Sequence, residues 1–273
     1  MSHKRLSSVI ILAAAALTAG ACSKDNNTSP PNTQVVSDQQ VSSDVVNSAG
    51  PAIAVEVAEI STDDSAMAAP PAVDQNSPPN IAFARHRACY QGTALQVACD
   101  SLTTDSLVVT DTVTGSIARS FTGPHGSDSM TVAVHAMLHI NISGLAGHET
   151  FRLHNGDGTL NDTTRFAGTT DSTARSRTMA ESDNDSMVAI RMNLPRASNL
   201  YPVSGTIVRN VSGSTTVVGG TNPGTRTFSR RVEVDFPADA QGNVTLKISG
   251  SGVSGTATCS VNLLSRVVSA CTF

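Results

Sequence analysis

Lysine is almost missing from this sequence. Only Lys4, Lys24 and Lys247 occur in 273 residues, and the formal net charge is −4. The basic stripe that a nucleic-acid binder needs is therefore absent. After the first twenty residues no apolar run reaches membrane-spanning length, which excludes a polytopic membrane protein. Charged residues make up 15% of the chain and aromatics 3%, with no tryptophan. Leu, Ala, Glu and Lys are thin beyond residue 80, and a helical bundle needs all four in quantity. Sequence signatures of chemistry are also wanting: there is no GxSxG, Walker loop, SxxK or CxxC. Hydroxyl residues are plentiful instead, with 34 Ser and 30 Thr, a composition that suits solvated strand faces and turns. An exported, β-rich protein remains.

The N-terminus carries an address. Lys4 and Arg5 form a basic start, Val9–Leu17 is an uninterrupted apolar stretch of nine, and Ala19, Gly20 and Ala21 precede Cys22. An apolar stretch of that length fits a signal peptide and is too short to span a bilayer. With the small residues before the cysteine, the segment 1–22 resembles the bacterial lipoprotein signal, although Ala19 stands where that family most often has Leu. The resemblance implies cleavage after residue 21, lipidation of Cys22 (palmitate among the acyl chains), and a membrane anchor. Ser23 rather than Asp after the cysteine implies the outer membrane. The rival reading is a secreted protein with a free Cys22. Each buried methylene contributes about 0.8 kcal/mol, so two or three chains would hold firmly where one would not.

Residues 22–80 read as an acidic tether. Seven of the twelve prolines lie there, and eight acids face Lys24 alone, a balance of −7. Such a segment buries too little apolar surface to offset its ordering entropy. Gln34–Asn47 and Ala52–Ile60 have few breakers, so the tether is expected to be disordered or partly helical.

From Ile81 to Phe273 the dominant period is two, the signature of half-buried strands. Met130–Ile142 alternates seven times, with the even positions apolar and His135, Met137 and His139 on the opposite face. The same pattern recurs in Ser106–Phe121, Ser186–Leu194 (Val188, Ile190, Met192), Tyr201–Val211, Arg226–Phe236, Asn243–Ser249 and Thr256–Phe273. Turns are expected at Gly123-Pro124, Gly156–Gly158, Asn184-Asp185, Gly219-Gly220, Gln241–Asn243 and Gly250–Gly255. The stretch 156–185, with Arg165, Arg175 and Arg177, is weakly patterned. Short connections between alternating strands predict an all-β fold, a single large antiparallel meander, curled or barrel-like.

With Cys22 set aside, Cys89, Cys99, Cys259 and Cys271 remain, and exported proteins oxidise. Hairpins turning near Gly92–Ala94 and Leu264–Arg266 would bring Cys89 to Cys99 and Cys259 to Cys271, each pair at even spacing and so on one face. The alternative is a clasp joining the first hairpin to the last strand. Either way the disulfides are structural.

Several tempting patterns fail on spacing. His135 and His139 share a strand face about 13 Å apart, too far for one metal ion. His148-Glu149 begins a zincin motif that Arg152 breaks. Asn155–Asp162 alternates oxygen ligands, but Leu160 and Phe166 stand where a calcium loop needs Gly and Glu. Gly250–Gly255 spells GxGxxG, but a strand follows where a dinucleotide site needs a helix. Glu233 and Asp235 share a face with Arg231, which reads as an exposed ion-paired ladder rather than a glycosidase pair.

The sequence thus assigns no catalytic residue, metal or cofactor. Its leading reading is a lipid-anchored cell-envelope protein with a non-enzymatic structural or binding β domain over 81–273. The membrane is its one identifiable partner. A second reading is a carrier whose curled sheet holds an apolar ligand; by architecture alone that is similar to the half-barrel carriers of lipoprotein sorting. An envelope hydrolase is the third. An open apolar concavity would favour the carrier, and a filled interior the first reading.

Overall fold

The computed structural model describes residues 37–63, 81–100, 102–123, 126–145, 150–170, 173–195, 198–219, 223–253 and 255–273. The segment 1–22 expected to be a signal, with Cys22, lies outside these residues. One helix, α1 (Asp38–Asp63), precedes eleven strands: β1 (Ile81–Gln91), β2 (Ala94–Leu95), β3 (Ser106–Gly123), β4 (Gly126–Ser143), β5 (Phe151–Thr170), β6 (Thr173–Asn193), β7 (Ser204–Val218), β8 (Gly224–Asp235), β9 (Asn243–Gly250), β10 (Ala257–Asn262) and β11 (Val268–Thr272). All join one antiparallel sheet in the order β11-β10-β9-β8-β7-β6-β5-β4-β3-β1-β2. Only the two-residue β2 departs from the meander, folding back on the outer edge of β1. The sheet is open, with β11 and β2 as its edges, and it curls around α1.

The helix corrects the tether. Val41, Val45, Val46, Ala49, Ile53, Ala54, Val57 and Ile60 are all buried in the same core as the strands. They recur at three-, four- and five-residue intervals, the stripe of a helix that packs. Valine is a weak helix former, and Gly50-Pro51 falls mid-helix, so local propensity does not explain α1. Burial does: each such side chain contributes about 1.5–3 kcal/mol on leaving water. Among the described residues from 41 to 60, none is exposed. The helix packs those side chains into the core of the sheet. Gly50 marks the closest approach, where a Cβ would come within 2.6 Å of Val268 Cγ2. The folded body therefore begins by Asp38, not at Ile81.

Most of the alternation is as the sequence has it. Ile140 and Ile142 are buried, Leu138 packs against the core, and Phe228, Val232, Val234, Val244, Leu246 and Ile248 face inward. His135 and Met137 face out. Two expected turns are instead strand interior. Gly156–Gly158 lies in β5, and Asn184-Asp185 lies in β6. Gly156 is needed there because a Cβ would strike the His139 carbonyl across the pair, beside a bulge at His154/Gly156. A second bulge, between Val188 and Arg191, overturns one facing. Ala189 takes φ 52°, so Met187 is buried while Val188 is exposed, although Ile190 and Met192 are inward. A bulge inserts a residue and reverses the parity that period-two reading depends on.

Both local disulfides form, Cys89–Cys99 and Cys259–Cys271, with Cα atoms 5.3 and 4.0 Å apart. The terminal clasp is not made.

Candidate functional site: five carboxyls around Arg209

The longest hairpin, β5–β6, points acids into the core. Asp162 and Glu181 are directly opposite one another in its register, and Asp183 and Asp185 follow Glu181 at intervals of two, so all share the inner face. Asp185 pairs across with Arg209 of β7. Glycines flank the carboxyls: Gly213 faces Glu181 and Gly158 faces Asp185.

Arg209 is 3% exposed and Asp183 1%. The guanidinium lies 2.8 Å from Asp185 Oδ2 and 3.5 Å from Asp183 Oδ2. From above, α1 supplies two more groups. Arg209 Nη2 donates to Glu56 Oε1, and Ser48 Oγ donates to Glu181 Oε2 at 3.0 Å. Five carboxyls are thus gathered beside one cation: Glu56, Asp183 and Asp185 bear on Arg209 directly, and Asp162 and Glu181 adjoin Asp183. One oxygen of each (Glu56 Oε2, Asp162 Oδ1, Glu181 Oε1, Asp183 Oδ1 and Asp185 Oδ1) has no hydrogen-bond partner.

Fully ionised, the group would leave four uncompensated negative charges in the core. Buried like charges resist ionisation, so the site retains protons. Burial pushes Asp162 up to about 7, and the Asp183 charge adds to the effect. Burial, then Asp162 and Asp183, hold Glu181 well above its ordinary value. Asp183 rises to about 6 and Asp185 to about 8, in each case by burial against the opposing pull of Arg209. Burial alone would make Arg209 easier to deprotonate; Glu56, Asp185 and Asp183 outweigh it and raise its pKa. Asp162 and Glu181 titrate together, as neighbouring carboxyls must.

The other inward charges are better balanced. Asp38 takes Arg226 and, at 3.1 Å, Arg230. Hydrogen bonding to Arg226 holds the Asp38 carboxyl below the usual range. Arg230 also donates to Ser42 at 3.1 Å. Asp44 pairs with Arg177 at 3.0 Å, and Arg85 donates to Asp111 at 2.7 Å.

The site was not read from the sequence, yet it left a signal. Glu181, Asp183 and Asp185 alternate with polar residues, which hides an inner face made of acids. Arg209 and Arg230 sit at inward parity between apolar neighbours, Ile207 and Val211 in one case and Phe228 and Val232 in the other. A charge flanked at i±2 by buried residues on one strand is itself buried.

The motifs that were read lie elsewhere. Glu233 is held by Arg231 at 2.7 Å and Asp235 by Lys247 at 2.6 Å on the outer face, an ion-paired ladder. Bonding to Lys247 and Thr206 lowers the Asp235 carboxyl. His139 is 3.6 Å from Asp157. Gly250–Gly255 belongs to the connection from β9 to β10. Arg177 points inward, while Arg165 is exposed. Among the described residues no group of three or more His, Cys, Asp or Glu has a metal-holding arrangement. None of their helices is long and apolar enough to cross a membrane.

With α1 in place the carboxyls and Arg209 are all buried, so the cluster can store protons and hold the helix. No family model, curated protein or solved structure matches the chain. The assignment therefore rests on the residues themselves.

Proposed function

We propose that this is a lipid-anchored cell-envelope lipoprotein whose β domain has a non-enzymatic structural or binding role. The filled interior carries that reading: α1 occupies the concavity an apolar ligand would need, and the buried carboxyls are enclosed rather than presented. What the fold offers to the outside is a hydroxyl-rich outer surface, with cross-strand pairs such as Thr216–Thr225 at 2.9 Å and Thr258–Thr272 at 2.8 Å. The segment 1–22 supports anchoring through Cys22, and Ser23 supports the outer membrane as its destination. A carrier reading requires α1 to leave the sheet.

Detergent-phase partitioning and intact mass test the anchor. The mature protein is expected to begin at Cys22 with the added mass of its acyl chains, and Cys22→Ser to move to the aqueous phase or persist as the precursor. Unchanged partitioning of that variant would overturn the anchor. Purified soluble domain that turns over envelope esters, glycans or peptides would overturn the non-enzymatic role.

A further inference from the structure

The two ends of α1 are held by different electrostatics. At its start, Asp38 lies in the first turn, where a carboxylate favours the helix dipole, and it meets two arginines of β8. Six residues on, Asp44 meets Arg177 of β6. Toward its end the last turn has no basic residue, and Glu56 enters a group already rich in acid. The charged groups that bear on Glu56 are Asp183 and Asp185 from β6 and Arg209 from β7; Asp162 from β5 and Glu181 from β6 act on Asp183 and on each other next to them. The inner faces of β9 and β10 present apolar residues there, Val244, Leu246, Ile248, Ala257 and Val261 among them.

We propose that α1 is a proton-controlled plug: it stays docked while the carboxyls around Arg209 hold protons, and it is released from its Glu56 end when they ionise. Docking α1 seals the carboxyls from water and so favours their neutral forms. Undocking admits water, lets them ionise and relieves their mutual repulsion. Because the open form binds fewer protons, a rise in pH drives opening. The Asp38 end stays paired, so the helix hinges from that end. Release would uncover Ile207, Val232 and Leu246 and turn a filled interior into an apolar groove. The device does not depend on how the N-terminus is anchored.

Hydrogen exchange on the full chain, read by mass spectrometry and corrected for the pH dependence of the intrinsic rate, tests it between pH 5.5 and 8.5. Protection of residues 52–60 is expected to fall by about tenfold per pH unit for each proton that opening releases, and at every pH to lie below that of β9 and β10, which exchange only when the whole domain unfolds. The pair Asp162→Asn and Glu181→Gln should flatten that dependence. Protection of 52–60 that is independent of pH would overturn the proposal. So would protection of 52–60 equal to that of β9 and β10 at every pH, which would mean that α1 opens only with the whole domain. The wild-type comparison decides even if the double variant does not fold.

Discussion

The two halves of the sheet enclose the same helix by different means. Strands β8–β10 meet α1 mainly with aliphatic side chains, and Gly50 lets the helix approach to packing distance. Strands β5–β7 meet it with acids, one buried arginine and two glycines that leave room. Apolar packing is indifferent to pH and nondirectional. A cluster of carboxyls around a single cation is directional and proton-dependent, and breaking it strands buried charge. The first half gives α1 its affinity for the sheet. The second makes that affinity conditional.

The largest expected effect is from Arg209→Leu. Without its guanidinium, Glu56, Asp183 and Asp185 lose their shared partner, and the loss of stability should be about 3–5 kcal/mol at pH 8. At pH 5 it should be smaller, because protonated carboxyls need no counter-charge. Urea unfolding at the two pH values, with disulfides intact, measures both. An equal loss at both would mean that Arg209 acts by packing alone.

Leu246→Ala probes the other half and should cost about 2–4 kcal/mol through the cavity it leaves. The wild type itself should lose stability as pH rises. Asp162, Asp183 and Asp185 hold protons in the folded state up to about 7, 6 and 8, whereas in the unfolded chain they release them near 4. Between about pH 4 and 8 the folded form is thus the more protonated, and the unfolding free energy falls across that window. Leu246→Ala should lower the whole thermal-stability curve without changing its slope. A changed slope would couple the two halves and break the contrast drawn between them.

The smallest effect belongs to the outer face. Glu233→Gln removes a half-exposed partner of Arg231 and should shift stability by less than about 1 kcal/mol. A larger loss in chemical denaturation would show that the outer ladder supports the sheet as much as its inner charges do.

Where apolar residues line the sheet, the strands were legible. At the end of the run Met130–Ile142, Ile140 and Ile142 are buried as their parity requires, and Arg226–Phe236 and Asn243–Ser249 show their buried faces at alternate residues. Both local disulfides and their turns could be placed from even spacing. Legibility failed where the inside is polar. In 156–185 Leu160 and Met179 are buried, but the other inward positions include Gly158, Asp162, Thr164, Glu181, Asp183 and Asp185, which read as turn and loop chemistry because hydropathy marks burial only when the buried groups are apolar. At Val188 a bulge shifted the parity, and a bulge has no hydropathy signature of its own.

By itself, then, the sequence determined an antiparallel meander and its apolar lining, set by neighbouring residues and short turns; it favoured the local cysteine pairs, and the fold decided them against the clasp. Only the tertiary structure decided that an acidic, valine-rich segment with a mid-helix Gly50-Pro51 is the helix at the centre of the sheet. The reason is physical: α1 lacks the local propensity to form alone, and its stripe becomes favourable only when strands distant in the chain close around it. The same closure gathers Glu56, Asp162, Glu181, Asp183, Asp185 and Arg209 from four elements, an arrangement that no local spacing contains.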